Sequence, residues 1–387
     1  MTKLVQDECE LHASAIYTAA VIASLDCIDW RDFLQRPLLP HSLLELPAAF
    51  ADAPILITGA GGSIGSALSL LLAQSVASHI VLLDADENHL YRLQQALSEV
   101  KTTAHMTLVL GSAGDPSILD PLFSAHHPHI IFHAAAHKHV PLLEQQPFAA
   151  IANNVLATEM LLSVAARHDA RVVLLSTDKA VQPASVMGAT KRVAETMVLH
   201  HNGIVLRLAN VLASSGGVTE IFARQALSGS PLTVTDPAAR RYFLTLPEAV
   251  HLLLAAGCIA ARDNAPALLV PDLAVDHSIA ALAVFLARIL APDQEPELQF
   301  TGLRPGEKLV ERLWDDSERM SHATDGLLTL HTPGSSSLAN HLVSLRTAHC
   351  EHDLAAALVH LRALAPGFLP SETVQALAHK SAQRMHA

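Results

Sequence analysis

The chain has 387 residues, half of them hydrophobic and 16% charged, so it can bury a large core and is not a disordered segment. A net charge of −12 argues against non-specific nucleic-acid binding, which needs clustered Lys and Arg, yet leaves room for a local pocket that takes one small anion. Cys9, Cys27, Cys258 and Cys350 form no CxxC pair, a pattern of reduced intracellular thiols rather than a disulfide framework.

The first ten residues, MTKLVQDECE, are acidic where a signal peptide is basic. The apolar run 13–25 ends at Asp26, too short to cross a bilayer. Together these predict a cytoplasmic protein with no membrane span and no nucleic-acid partner. The 24 histidines are dispersed, and His137 and His139 of AHKH fall on opposite faces of an extended segment, so polar packing is expected there and no metal site.

Residues 1–50 read as a helical extension with a Pro-containing lead, WRDFLQRPLLP. From Pro54 onward, short apolar runs alternate with longer amphipathic ones. PILIT, HIVLLD, MTLVLG, HIIFHAA and RVVLLST are strand-like and apolar throughout, as buried parallel strands must be. The segments 64–74, 87–100, 116–126 and 147–168 between them have helical periodicity. A helix at 186–201 and a strand at 203–207 would complete the sheet. This order predicts an α/β, doubly wound parallel Rossmann sheet over 51–215. Beyond Asn210, SSGG, GSP and TDPAARR interrupt shorter elements, as expected of a smaller substrate-binding lobe over 216–330. A Ser-rich break at 334–337 then leads into a C-terminal helical segment within 331–387, with its helical pattern strongest over 353–380.

TGAGGSIG (58–65) follows the first strand and opens a helix. Gly59, Gly62 and Gly65 allow a tight turn, close approach to a pyrophosphate and close helix–strand packing, and the N–H groups around Ser63 and Ile64 would meet the phosphates. Asp84 ends the second strand 19 residues beyond Gly65, where a carboxylate accepts from the adenosine ribose hydroxyls and repels a 2′-phosphate. NAD rather than NADP is therefore expected. A plain cap on the helix starting at Glu87 is the competing role for Asp84.

The fifth strand runs into STDKAVQPASVMGATKR, and the spacing puts Met187 and Lys191 one turn apart on the next helix. With TGAGGSIG, HAAAHKHVPLLE, NNVLAT, ANVLASSGGV, RRYFLTLPEAV and TGLRPGEKL, this block resembles the UDP-N-acetylglucosamine 4,6-dehydratases of bacterial polysaccharide and glycan biosynthesis, extended short-chain dehydrogenases/reductases. The likeness runs from about Arg31 to the C-terminus. Many members carry an N-terminal membrane region and a second nucleotide-fold domain, and this sequence looks like a soluble, catalytic-half form.

The resemblance implies a bound NAD and a UDP-N-acetylhexosamine substrate. Asp178 would protonate the departing C6 hydroxyl, and Lys179, its pKa lowered by burial or by Lys138, would take the C5 proton. Thr177 would bond the C4 oxygen and Lys191 the nicotinamide ribose. Met187 stands where the family's relatives carry a catalytic Tyr. Asp178 or a water would then accept the C4 hydroxyl proton. Ala134, Ala135 and Asn154 would border the cofactor, Lys138 the substrate, and Asn210, Arg241 and Arg304 the diphosphate and uridine. Relatives commonly form dimers or larger rings, so a homo-oligomer is expected.

Departures from the family pattern include Ala67, Ser112, His137, Ala157, Ala209 and Ala213, the last three at glycine positions. Two other readings are a nucleotide-sugar 4-epimerase, which has no need of the Asp178–Lys179 pair, and a degenerate NAD-binding scaffold or sensor.

Overall fold

The computed structural model describes residues 24–25, 27–39, 50–51, 53–75, 77–102, 104–324, 326–332 and 337–385. Most of the expected N-terminal extension, including the apolar run up to residue 23, and most of the Ser-rich break lie outside them.

The sheet contains the expected strands: β1 Ile55–Thr58, β2 His79–Asp84, β3 His105–Leu110, β4 Ile130–His133, β5 Arg171–Thr177 and β6 Ile204–Leu208. It does not stop at β6. β7 (Ala267–Pro271) pairs parallel with β6, and a hairpin of β8 (Arg319–Thr324) and β9 (Leu327–His331) adds antiparallel, giving the order β8-β9-β7-β6-β5-β4-β1-β2-β3. The span 216–330 thus divides between this sheet and the lobe. Its strands at 267–271 and 319–331 are short apolar or mixed runs, with no helix-alternating rhythm to announce them. The direction of winding reverses between β1 and β4, and the carboxyl ends of those strands open the crevice where ligands of such sheets bind.

Helices cover both faces because each parallel strand is buried on both sides. One apolar layer lies under Pro116–His126, Pro147–Arg167, Val186–His200 and three C-terminal helices, Leu338–Cys350, Leu354–Leu364 and Glu372–Met385. The other lies under Ser63–Ala73, Glu87–Ser98 and Leu246–Arg262. The helix Leu246–Arg262 begins with a capping box, Thr245 to Glu248, and Glu248 also takes Arg36 at 2.6 Å, strapping the N-terminal segment onto the domain. A third cluster joins Trp30, Phe33 and Leu34 to Val218–Leu227 and Ile279–Leu290, the core of the lobe.

Pro147–Arg167 is the one helix among the described residues long and apolar enough to cross a membrane by length and composition. Here it packs as a core helix, with Leu161, Leu162 and Val164 buried, and it widens into a single π-helical turn at Ile151–Leu156.

Candidate active site

The glycine turn is a fitted joint. Gly59 has φ +67°, and a Cβ there would stand 2.6 Å from the backbone N of Ala135. One on Gly65 would stand 2.1 Å from the Gly59 carbonyl oxygen. Neither position tolerates a side chain. Gly62 precedes Ser63–Ala73 without a side-chain cap, and that helix has no acidic residue in its first turn, so the N–H groups of Ser63, Ile64 and Gly65 are left for a ligand. Ala134 N donates to Thr58 O at 3.0 Å, locking the end of β4 beside the turn.

Asp84 is buried at the end of β2. Its Oδ2 accepts from Gly61 N (2.8 Å) and its Oδ1 from Asp86 N (2.9 Å). The cap on helix Glu87–Ser98 is Asp86, not Asp84. The residues present thus fit a dinucleotide: a turn packed too tightly against its own backbone for a Cβ at Gly59 or Gly65, an open helix N-terminus and a carboxylate at the second strand's end.

At the carboxyl end of β5, the short helical turn Asp178–Ala180 gathers the proposed chemistry. Asp178 is fully buried. Its Oδ1 accepts from Thr177 Oγ1 and from Lys179 Nζ, both at 2.9 Å, while its Oδ2 has no protein partner. Lys179 Nζ also donates to Asn210 Oδ1 at 2.8 Å, so Asn210 joins this cluster. Lys138 is held by other groups, donating to Ser215 O at 2.7 Å. Ser215 N in turn donates to Ser63 Oγ at 3.0 Å, so the 213–217 loop reaches the glycine-turn helix.

Met187, at the position where relatives carry a Tyr, lies inside the fold. Its side chain is buried in the apolar cluster with Val186, Ala189 and Val193, where it fills volume. Lys191, one turn on, is also buried and donates to Leu175 O at 2.7 Å. Burial draws its ammonium down to about 8, against the pull of Glu195 in the other direction. Asn154 sits in the π-helical turn. It accepts from His137 N, donates to His137 O and donates to Thr190 Oγ1, joining the segment after β4 to the Lys191 helix.

Two of the residues expected at the diphosphate and uridine have protein partners. The guanidinium of Arg241 donates to the carbonyls of Arg240, Leu309 and Lys308 at 2.7–2.9 Å, which makes it a brace for the 308–309 backbone rather than a free anion clamp. Arg304 is exposed and pairs with Glu307 in its own loop, at 2.6 Å from NH2.

Several residues escaped the sequence reading. His133, at the end of β4, is buried between Thr58 Oγ1 (2.6 Å) and Thr158 Oγ1 (3.0 Å). Glu144 accepts from Val186 N at 2.7 Å and so caps the Lys191 helix, and burial pushes its carboxyl up. Lys308 Nζ donates to Val181 O at 2.9 Å, just beyond the Asp178 turn. Arg207, fully buried in the apolar strand IVLRL, is forked by Glu195 and Glu318. A lone Arg inside such a strand is itself a signal that buried carboxylates must face it.

The strand order and the glycine turn together define a Rossmann-fold, doubly wound α/β protein. Within that class, the chain belongs to the polysaccharide biosynthesis protein family, which matches residues 55–329. It is 36% identical to the capsular polysaccharide biosynthesis protein CapD of Staphylococcus aureus over 307 residues, 77% of this chain and 51% of CapD. It is also 36% identical to the probable polysaccharide biosynthesis protein EpsC of Bacillus subtilis, over 74% of this chain and 49% of EpsC. The chain therefore spans about half the length of these two relatives. A UDP-glucose 4-epimerase of Rickettsia canadensis is 34% identical over 71% of this chain and 81% of the epimerase.

Among solved structures, Pen from Bacillus thuringiensis superposes with a TM-score of 0.66 at 24% identity, covering 73% of this chain and 89% of Pen. MoeE5 in complex with UDP-glucuronic acid and NAD gives 0.56 at 22% identity, covering 66% of this chain and 88% of MoeE5. Both likenesses are of fold.

Proposed function

We propose that this chain holds NAD and catalyses the 4,6-dehydration of a UDP-N-acetylhexosamine, UDP-N-acetylglucosamine first among them, to a 4-keto-6-deoxy sugar nucleotide for polysaccharide or glycan assembly. The observation that carries this reading is the Asp178–Lys179 pair, a carboxylate and an ammonium 2.9 Å apart at the carboxyl end of β5, with Asp178 Oδ2 buried and unpartnered. Loss of water across C5 and C6 needs one group to protonate the leaving hydroxyl and another to take the C5 proton. Inversion at C4 alone needs neither.

Bound NAD would supply a site for the C4 hydride and its later return to C6. The N–H groups of Ser63, Ile64 and Gly65 would hold its pyrophosphate, and Asp84, whose charge repels a 2′-phosphate, its adenosine ribose. Lys191 would hold the nicotinamide ribose, and its buried positive charge favours loss of the C4 hydroxyl proton. With Met187 in the core, that proton passes to Asp178 or to a water. Transfer of one ammonium proton from Lys179 to Asp178, across their 2.9 Å contact, would leave a carboxylic acid and a neutral amine. The acid would then deliver its proton to the C6 oxygen and the amine would take the proton from C5, with the Thr177 hydroxyl turning from Asp178 to the C4 oxygen. Asn210, already on Lys179, borders the sugar from the lobe side. The NAD and UDP-sugar named in the MoeE5 complex agree with this pairing of ligands.

Incubation with NAD and UDP-N-acetylglucosamine, followed by mass spectrometry, tests the proposal. A product lighter by one water, lost in Lys179→Ala, supports it. Unchanged mass with altered C4 stereochemistry would instead make the chain an epimerase, in keeping with the Rickettsia relative. Tight NAD binding without turnover of any UDP- or dTDP-sugar would make it a scaffold.

A further inference from the structure

Two rungs tie β5 to the helix that follows it. Leu175 O accepts from Lys191 Nζ at 2.7 Å, and on the next residue Ser176 Oγ donates to Glu195 Oε1 at 2.6 Å. Lys191 and Glu195 are one helical turn apart, on one face. Glu195 is also forked by Arg207, through Nε and NH2 at 2.8 Å each. The other side of that guanidinium forks Glu318, at 2.7 and 2.8 Å, just before β8. Arg192 NH1 closes the ring, 2.7 Å from Glu318 and 3.2 Å from Glu195.

We propose that Glu195, Arg207, Glu318 and Arg192 form one positioning unit that holds Lys191 at the end of β5 and governs how readily it releases its proton. The inference rests on the reading that Lys191 faces the cofactor. The unit carries two positive and two negative charges, so it is neutral as built. Removing any one charge leaves a net unit charge beside Lys191 in a site that screens poorly. Other groups facing Lys191 cannot substitute for it. His133, from β4, is held uncharged by burial, β5 offers a neutral carbonyl, and on its own helix Glu195 is the acid that pulls on the ammonium. Arg207 also joins β6 to the edge of the β8–β9 hairpin, so the same ring spans the sheet from the catalytic strand outward.

The test is a pH titration of Lys191 in the NAD-loaded protein, by NMR of 13Cε-labelled lysine, with the signal assigned through Lys191→Arg. Glu318→Gln should lower the Lys191 midpoint and Arg192→Gln should raise it, each by about half a pH unit or more. Arg192→Lys should restore the wild-type value. Glu318→Gln leaves a buried guanidinium short of a partner. Arg192, whose side chain reaches solvent, therefore provides an arm that does not depend on the Glu318 variant folding. A role confined to packing would weaken both variants without moving the midpoint in opposite directions. Shifts of the same sign, or none, would overturn the proposal. Opposite shifts in a protein that turns over no sugar nucleotide would uphold the positioning unit and remove only the dehydratase reading.

Discussion

Asn154 grips both backbone poles of His137, accepting at Oδ1 from its N–H (2.9 Å) and donating from Nδ2 to its carbonyl (3.1 Å). The same amide donates to Thr190, next to Lys191. A two-handed clamp of this kind needs an amide, since a carboxylate offers no donor. Asn154→Asp is therefore expected to lose both donated bonds at a buried site, at a cost of about 1–3 kcal/mol in calorimetric stability. NAD affinity by titration calorimetry should fall with it, because the clamp shapes the wall between β4 and the Lys191 helix.

His133 makes acid stability a property of the active-site floor. Burial first, and the nearby Lys191 second, hold its imidazole down to about 3, far below an unfolded histidine. Its stabilising contribution is complete above the unfolded value near 6.5 and is lost as pH falls from there toward 3. Each pH unit crossed in that window costs up to about 1.4 kcal/mol. Glu318, held to about 2 by Arg207 against its burial, adds a second loss that begins only below about 4.5. Replacing His133 with Gln should reduce the slope of urea-derived stability from pH 6.5 down toward 3, leaving the Glu318 loss below about 4.5 and that of the other, partly buried histidines. A slope unchanged in that window would contradict the assignment.

Met187 is expected to behave as core. Met187→Leu conserves volume and should cost less than about 1.5 kcal/mol, with turnover within a few-fold of wild type. Met187→Tyr inserts a ring and a hydroxyl into a packed cluster and should lose about 1–3 kcal/mol without installing a useful base. Thermal melts and initial rates on the two variants separate volume from chemistry.

Ala213 sits at φ +58° in the loop that crosses to the glycine-turn helix. Its N–H donates to Thr219 Oγ1 at 3.2 Å, which holds the conformation despite the side chain. Ala213→Gly should relieve that strain and stabilise the chain by about 0.5–1 kcal/mol, net of the extra freedom glycine has when unfolded. A melting temperature that drops would show that the methyl is making contacts worth more than the strain.

Much of the fold was legible from contiguous residues. Thr58–Gly65 states its own backbone demands, and an unbroken apolar run such as Ile55–Thr58 states that both its faces are covered. Gly59 and Gly65 carry the steric reason within eight positions of one another. The mutual contacts of Thr177, Asp178 and Lys179 are likewise between neighbours along the chain. The burial of Met187 was decided by the partner layer, because position on a helix face says where a side chain points only once that layer is known. The partners of Arg241 and Arg304 were likewise not legible: the first donates to backbone carbonyls 67 and 68 residues away and the second pairs with Glu307 in its own loop.

By itself, the sequence determined what neighbours along the chain can decide: the rhythm of strands and helices, the tight glycine turn, and a carboxylate beside an amine. Only the tertiary structure decided which charges face one another across the open sheet. Arg207 and Glu318 lie 111 residues apart, and Lys179 and Asn210 lie 31 apart. Short-range patterning follows from local sterics and periodicity, whereas a buried charge is matched by whatever the completed packing brings to it.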